Sequence, residues 1–359
     1  MMTARERVLT TFRRRTPDRV PRALEYGSFC PPLMNVFREK TGASDPAEHF
    51  QYEIREVGFR PTKRRQGLER YVPRDLPKGA SIDWEWGNVV QPGQYAHITQ
   101  VVHYALSDLQ QPSDVDAFPM PDLLDNYRWA HLKEEAAACH ARDLAVCGAL
   151  SQTIFEVAWG VRGLEEFLVD MLTNPGLAAA LMDRIVAMRC QQAGILAEAD
   201  VDVLRLGDDV ATERGMMISP AVWREWLKPR LQQVIRAARA VKPDVLIAYH
   251  SDGDCSAVIP ELIEIGVDVL NPLQPECLNR SEIKRQYGGA LAFWGGIGVQ
   301  TTMPFGTPAE VMRDVKECIE TVGKDGGLLI CPSHFLQPEV PWENVMAFFE
   351  AVGRYGAYA

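Results

Sequence analysis

The chain has 359 residues, 47% hydrophobic and 24% charged, with a formal net charge of −10. That composition is ordinary for a globular domain, and its acidic balance argues against nucleic acid or an anionic membrane as the main partner, since both call for a basic face. No stretch approaches the roughly 20 apolar residues of a membrane span, and the arginines at 5, 7 and 13–15 flank no apolar core of a secretory signal. Eight scattered cysteines without a Cys-x-x-Cys pair imply reduced thiols and a cytoplasmic location.

In chain order, Thr3 and Glu6 fit a capping box opening a short helix with Val8, Leu9 and Phe12 on its apolar stripe. The basic run Arg13-Arg14-Arg15 is read as complementing the end of that helix. Residues 20–29 read as a first strand ending in Glu25-Tyr26-Gly27. Residues from about 31 to 131 are irregular and rich in Pro, Arg and Trp, which suits a cap over a catalytic fold. Within them 84–87 (Trp84-Glu85-Trp86-Gly87) and 100–104 read as strands of a hairpin.

From residue 132 the pattern is regular. Helices are expected at 132–141, 155–162, 164–172, 175–198, 220–240, 280–287, 308–322 and 342–354. Apolar runs too continuous for a strand with one wet face fall near 144–150, 201–206, 245–249, 267–274, 291–296 and 328–331. Each run ends in a polar or glycine-rich cluster: Gly207-Asp208-Asp209, His250-Ser251-Asp252, Asn271-Pro272-Leu273-Gln274, Trp294-Gly295-Gly296 and Cys331-Pro332-Ser333-His334. That repeated phase predicts an α/β fold, a single (β/α)8 TIM-type barrel over 1–359 with functional loops on one face. No Gly-x-Gly-x-x-Gly turn supports an open dinucleotide-binding sheet.

His250 and Asp252, two apart at a strand end, point to one side and suit either metal ligation or a base with its partner; a structural histidine and a helix-capping Asp252 are the plainer alternatives. Catalytic zinc takes three protein ligands, a count met by His250, Cys331 and one of Asp252, Glu25 or His334, although Cys331 also reads as a small buried hydrophobe. Asp208 and Asp209 are candidate acid–base carboxylates, since neighbours of like charge push one another's proton affinity apart. Glu25, Tyr26, Asn271, Gln274, Trp294 and His334 at strand ends, and Trp84 and Trp86 in the cap, are candidate substrate contacts.

The segments Thr16-Pro17-Asp18-Arg19-Val20-Pro21, Gly207-Asp208-Asp209, His250-Ser251-Asp252-Gly253, Phe293-Trp294-Gly295-Gly296 and Pro341-Trp342-Glu343-Asn344-Val345 together resemble the uroporphyrinogen decarboxylase superfamily. The resemblance runs nearly the whole chain and implies its barrel. The decarboxylases share a Pro-x-Trp-x-Met-Arg-Gln-Ala-Gly-Arg motif whose arginines bind substrate carboxylates. Here the matching region, Pro21-Arg22-Ala23-Leu24-Glu25-Tyr26-Gly27-Ser28-Phe29, lacks it. The chain is more similar to the superfamily's corrinoid-linked methyltransferases, whose thiol-using members bind zinc through His-x-Cys and a distant Cys. His250 and Cys331 fall on the first and last of those positions and Asp252 on the middle one.

The expectation is an enzyme that demethylates a small methoxylated aromatic or methylamine-type substrate and passes the methyl to a corrinoid (cobalamin) protein, with zinc at the site. A homodimer is implied by the resemblance alone. The alternative is a metal-free decarboxylase of a polycarboxylate such as uroporphyrinogen, with Arg22, Arg162, Arg205 and Arg214 as the available cations. A pocket that only delivers or senses a ligand is the third reading.

Overall fold

A computed structural model describes residues 1–65, 67–93, 99–123 and 125–358. Seven parallel strands form one curled sheet: β1 (Ile54–Val57), β2 (Ala145–Ser151), β3 (Val203–Gly207), β4 (Leu246–His250), β5 (Val269–Leu273), β6 (Ala292–Ile297) and β7 (Leu328–Pro332), neighbours in that order. Every residue of β3 to β7 is buried, as continuous apolar runs require when both faces of a parallel sheet are covered. Helices on the outside supply the second layer, the longest being Pro175–Glu198.

The expected first strand at 20–29 is not continuous. Residues 21–23 are extended and close the seam: Ile330 N donates to Pro21 O at 3.0 Å, Ala23 N to Ile330 O at 3.4 Å, and Glu53 N to Arg22 O at 3.5 Å. A short extended segment thus sits between β7 and β1 where an eighth strand would stand, completing a TIM-type barrel. It ends early because Tyr26 and Gly27 take left-handed backbone angles (φ 53° and 70°) in a 3-10 turn, Glu25–Gly27.

The cap carries a three-stranded antiparallel sheet, Ser81–Ile82, Val89–Pro92 and Thr99–His103. The expected strand at 84–87 is instead the turn between the first two of these. Asp83 Oδ1 accepts from Glu85 N at 2.9 Å, and Asp83 O from Gly87 N at 2.7 Å, the local side-chain bonding that makes Asp a turn former. Asn88 ties the cap down, accepting from Ala105 N at 3.0 Å and donating to Gly160 O at 2.8 Å. Arg162 does the same from the helix Phe155–Arg162, bonding Leu106 O and pairing with Asp170.

A candidate active site at the strand ends

His250 closes β4 and is 5% exposed. Its position depends on Gly207 at the end of the neighbouring strand, because a Cβ there would lie 2.6 Å from both His250 Cβ and His250 O. Nδ1 of the ring is 2.7 Å from Asn271 Oδ1, and Nε2 is 3.2 Å from the Tyr26 hydroxyl. On the side of the mouth, Nε2 stands 4.0 Å from Asp209 Oδ1 and 3.8 Å from Asp252 Oδ1, and His334 Nε2 stands 3.8 Å from Asp252 Oδ2. Five expected residues therefore meet: Tyr26, Asp209, His250, Asp252 and His334.

Asp208 faces the other way. Its carboxylate accepts from Ile154 N at 2.9 Å and Glu156 N at 3.0 Å, capping the first turn of the helix that follows β2. Burial pushes its carboxyl up to about 6 against the pull of those amides. Adjacent residues in an extended segment point to opposite sides, so only Asp209 reaches His250. Asp209 Oδ1 accepts from Asp252 N at 2.8 Å, which joins the loops after β3 and β4.

Beneath this cluster lies a sealed layer. Arg205, 0% exposed at the barrel centre, donates to Glu25 Oε1 at 2.6 Å and to Glu56 Oε2 at 2.7 Å. Glu25 Oε2 accepts from Asn271 Nδ2 at 3.0 Å and from the Cys331 thiol at 3.6 Å. Glu25, Asn271, Trp294 and Cys331 are all buried, so the first three offer no face to a substrate in this conformation. Gln274 is likewise buried and accepts from Gly253 N at 2.8 Å, holding the loop after β4.

The expected metal set needs correction. The side chains that converge with metal-ligand geometry are Asp209, His250 and Asp252, their donor atoms within 4.8 Å of one another. Cys331 is not among them: its sulfur is turned under the mouth, 3.6 Å from Glu25 Oε2. Burial and then the Glu25 charge push that thiol well up. Among the described residues the converging set holds no thiolate, and one imidazole and two carboxylates fit a divalent cation of harder preference. Asp252 Oδ1, buried and without a hydrogen-bond partner, supports that fit. Burial also pushes the Asp252 carboxyl up, opposed by His250 and His334.

A cavity of about 470 Å³ opens between cap and strand ends, lined by Glu56, Arg60, Trp86, Arg128, Ser151 and Arg189 among others. Trp86 lines it. Trp84 does not, its ring lying under the Arg65 guanidinium at 4.6 Å. Glu56 links this cavity to the cluster through Arg205. The sequence does not reveal it, because a charged residue in Ile54-Arg55-Glu56-Val57 looks like an outward-facing position. Nor does the sequence reveal Glu156. An acidic residue in a helix's first turn reads as a dipole partner, yet its Oε2 accepts from Asp209 N at 3.0 Å, and burial, reinforced by Asp208 and Asp209, pushes it up to about 8.

The model of the family described as "Uroporphyrinogen decarboxylase (URO-D)" matches residues 105–355, well over half of the chain. The chain belongs to the URO-D family. Among relatives of this URO-D chain, "Uroporphyrinogen decarboxylase, chloroplastic" of Zea mays is 24% identical over 178 residues, covering 50% of this chain and 43% of the relative. "Methylated-thiol--coenzyme M methyltransferase" of Methanosarcina mazei is 25% identical over 198 residues, covering 55% and 50%. The matches thus span about half the length of these curated relatives. A solved "methyltransferase from Methanosarcina mazei" superposes with TM-score 0.69 over 99% of both chains at 17% identity, a likeness of fold. Among the described residues no helix is long and apolar enough to cross a membrane.

Proposed function

We propose that this URO-D family chain is an enzyme that removes a methyl group from a small methylated substrate, of methoxylated-aromatic or methylamine type, and passes it to a corrinoid protein. The observation that carries the reading is the meeting of Asp209, His250 and Asp252 at the strand ends. The methylated-thiol relative supports methyl transfer as the reaction class. Homodimer formation and a cytoplasmic location remain parts of the same reading.

A methyl group leaves oxygen or nitrogen only when the C–O or C–N electron pair stays with the heteroatom and is neutralised there. A divalent cation held by Asp209, His250 and Asp252 would supply a Lewis acid at that heteroatom. Asp252 lies between His250 and His334, and burial raises its proton affinity against the pull of the two imidazoles. The Tyr26 hydroxyl faces the same imidazole nitrogen. Trp86 offers a flat apolar wall to a ring. The methyl carbon goes to the reduced cobalt of the partner, and the heteroatom leaves as alcohol or amine once protonated.

The second reading, decarboxylation of a polycarboxylate without metal, is favoured by the family and by the Zea mays relative. It calls for cations facing the pocket, and Arg60, Arg128 and Arg189 line the cavity, whereas the four arginines expected from the sequence lie elsewhere. Arg205 is locked between Glu25 and Glu56, and Arg162 is paired with Asp170. Arg214 is exposed in a hairpin between Ala211–Thr212 and Gly215–Met216, and Arg22 sits in the seam between β7 and β1. Purified protein loaded with zinc or manganese, mixed with reduced cobalamin and a panel of methoxybenzoates, methylamines and methyl sulfides, is expected to form methylcobalamin. Carbon dioxide release from uroporphyrinogen with no methylcobalamin from any substrate would replace this reading with the second.

A further inference from the structure

Four side chains are joined in a row at the barrel centre: Arg205 to Glu25 at 2.6 Å, Glu25 to Asn271 at 3.0 Å and Asn271 to His250 at 2.7 Å. Their exposures are 0, 0, 0 and 5%, so water cannot stand in for a mismatched partner. We propose that this row is a positioning device that fixes the tautomer of His250, keeping the proton on Nδ1 and the lone pair of Nε2 towards Asp209 and Asp252.

The polarity follows from donor and acceptor capacity alone. A guanidinium only donates, and the carboxylate it binds only accepts. Glu25 Oε2 therefore requires a donor from Asn271, and Nδ2 is the amide's only donor atom. With Nδ2 committed, the amide must turn Oδ1 to His250, and Oδ1 only accepts. Nδ1 of His250 must then carry the hydrogen, and in a neutral imidazole Nε2 is left with its lone pair. The Tyr26 hydroxyl, 3.2 Å away, can donate to that lone pair. The opposite tautomer would set two acceptors 2.7 Å apart at Asn271. Turning the amide to relieve them would set Oδ1 against Glu25 Oε2 at 3.0 Å.

This also gives Glu25, Asn271 and Cys331 a common account. The Cys331 thiol is a second donor to Glu25 Oε2, a role that needs its proton. Glu25 and Asn271 act through His250 and are positioning residues. The inference deepens the proposed function by stating which nitrogen His250 presents, and rests on that reading only for the use made of it. Its test needs neither substrate nor metal, so its failure is separate from a failure of methyl transfer.

The test is a long-range 1H–15N correlation on metal-free protein labelled with 15N-histidine, at a pH where the ring is neutral, with His250 assigned by the signal lost in His250→Gln. The expected wild-type result is Nδ1 in the protonated range and Nε2 in the unprotonated range, with the other tautomer at least tenfold less populated. In Asn271→Ala the preference is expected to collapse to less than threefold, and in Glu25→Gln, whose amide keeps its oxygen on Arg205 and turns its NH2 to Asn271, it is expected to invert towards Nε2. A purely structural role would leave it unchanged. A wild-type ring protonated on Nε2, or averaging evenly between tautomers, overturns the proposal even if neither variant can be made.

Discussion

Asp252 Oδ1 stands 3.8 Å from His250 Nε2, buried and without a hydrogen-bond partner. A strand end and the loop that follows it thus present an imidazole nitrogen and a carboxylate oxygen to the same point, and Asp209 from the neighbouring strand end completes the set. Leaving such an oxygen unpaired is costly, and a cation or a shared proton would remove the cost.

Cation binding should follow this set and not the thiol. After loading with zinc, wild-type protein and Cys331→Ala are expected to retain about one equivalent by mass spectrometry. Asp209→Ala and His250→Ala should bind at least ~10-fold more weakly, since each removes a ligand where even outer-shell changes cost that much. Loss of zinc in Cys331→Ala with retention in Asp209→Ala would reverse the assignment.

Glu25→Ala should be strongly destabilising. It leaves the buried Arg205 guanidinium with Glu56 as its remaining carboxylate. Breaking a buried pair by removing one partner costs about 3–5 kcal/mol, measurable as a lower urea midpoint at unchanged slope. A loss within ~0.5 kcal/mol would mean that the pair contributes little.

Gly207→Ala puts a methyl 2.6 Å from His250 Cβ and O, inside the contact between β3 and β4. Overpacking of this kind costs about 1–3 kcal/mol. Here the backbone that must move carries His250, so activity is expected to fall by at least ~10-fold, as a ~1 Å misplacement can. Unchanged kinetics with unchanged stability would contradict that geometry.

Asp208 and Asp209 should separate by phenotype. Asp208→Ala leaves the amides of Ile154 and Glu156 without their acceptor, at about 1–3 kcal/mol of stability. Asp209→Ala should act mainly on turnover. Equal stability losses with equal activity losses would remove the distinction.

Acid sensitivity should include a contribution from the N-terminal helix Ala4–Phe12. The Asp18 carboxylate takes two bonds from Arg7, at 2.6 and 2.9 Å, and the hydrogen bond from that guanidinium lowers it to about 2 from an ordinary 3.8. A carboxyl with a depressed folded value stabilises above its unfolded value and loses that contribution as pH falls towards the folded one. Stability should therefore drop between about pH 4 and pH 2, less steeply in Asp18→Asn. Identical acid profiles for the two proteins would show that the pair is not linked to folding.

Much of this protein is determined by local pattern. Unbroken apolar runs such as Leu246-Ile247-Ala248-Tyr249 fit only strands covered on both faces, and their regular alternation with helices implies a barrel whose polar strand ends share one rim. The Thr3–Glu6 capping box and the helix at 175–198 form as patterned because their signals lie within a few residues of one another. What only the tertiary structure decided is which strand ends touch. Sequence spacing does not say that β3 adjoins β4, which lets Asp209 reach His250, or that the Cys331 sulfur turns under the mouth to Glu25. Nor does it say which of Asp208 and Asp209 turns inward, or that Glu25 is clamped by Arg205 from 180 residues away. Those choices follow from strand order, from a single alternation of side-chain direction at residue 208, and from the requirement that each buried charge find its partner.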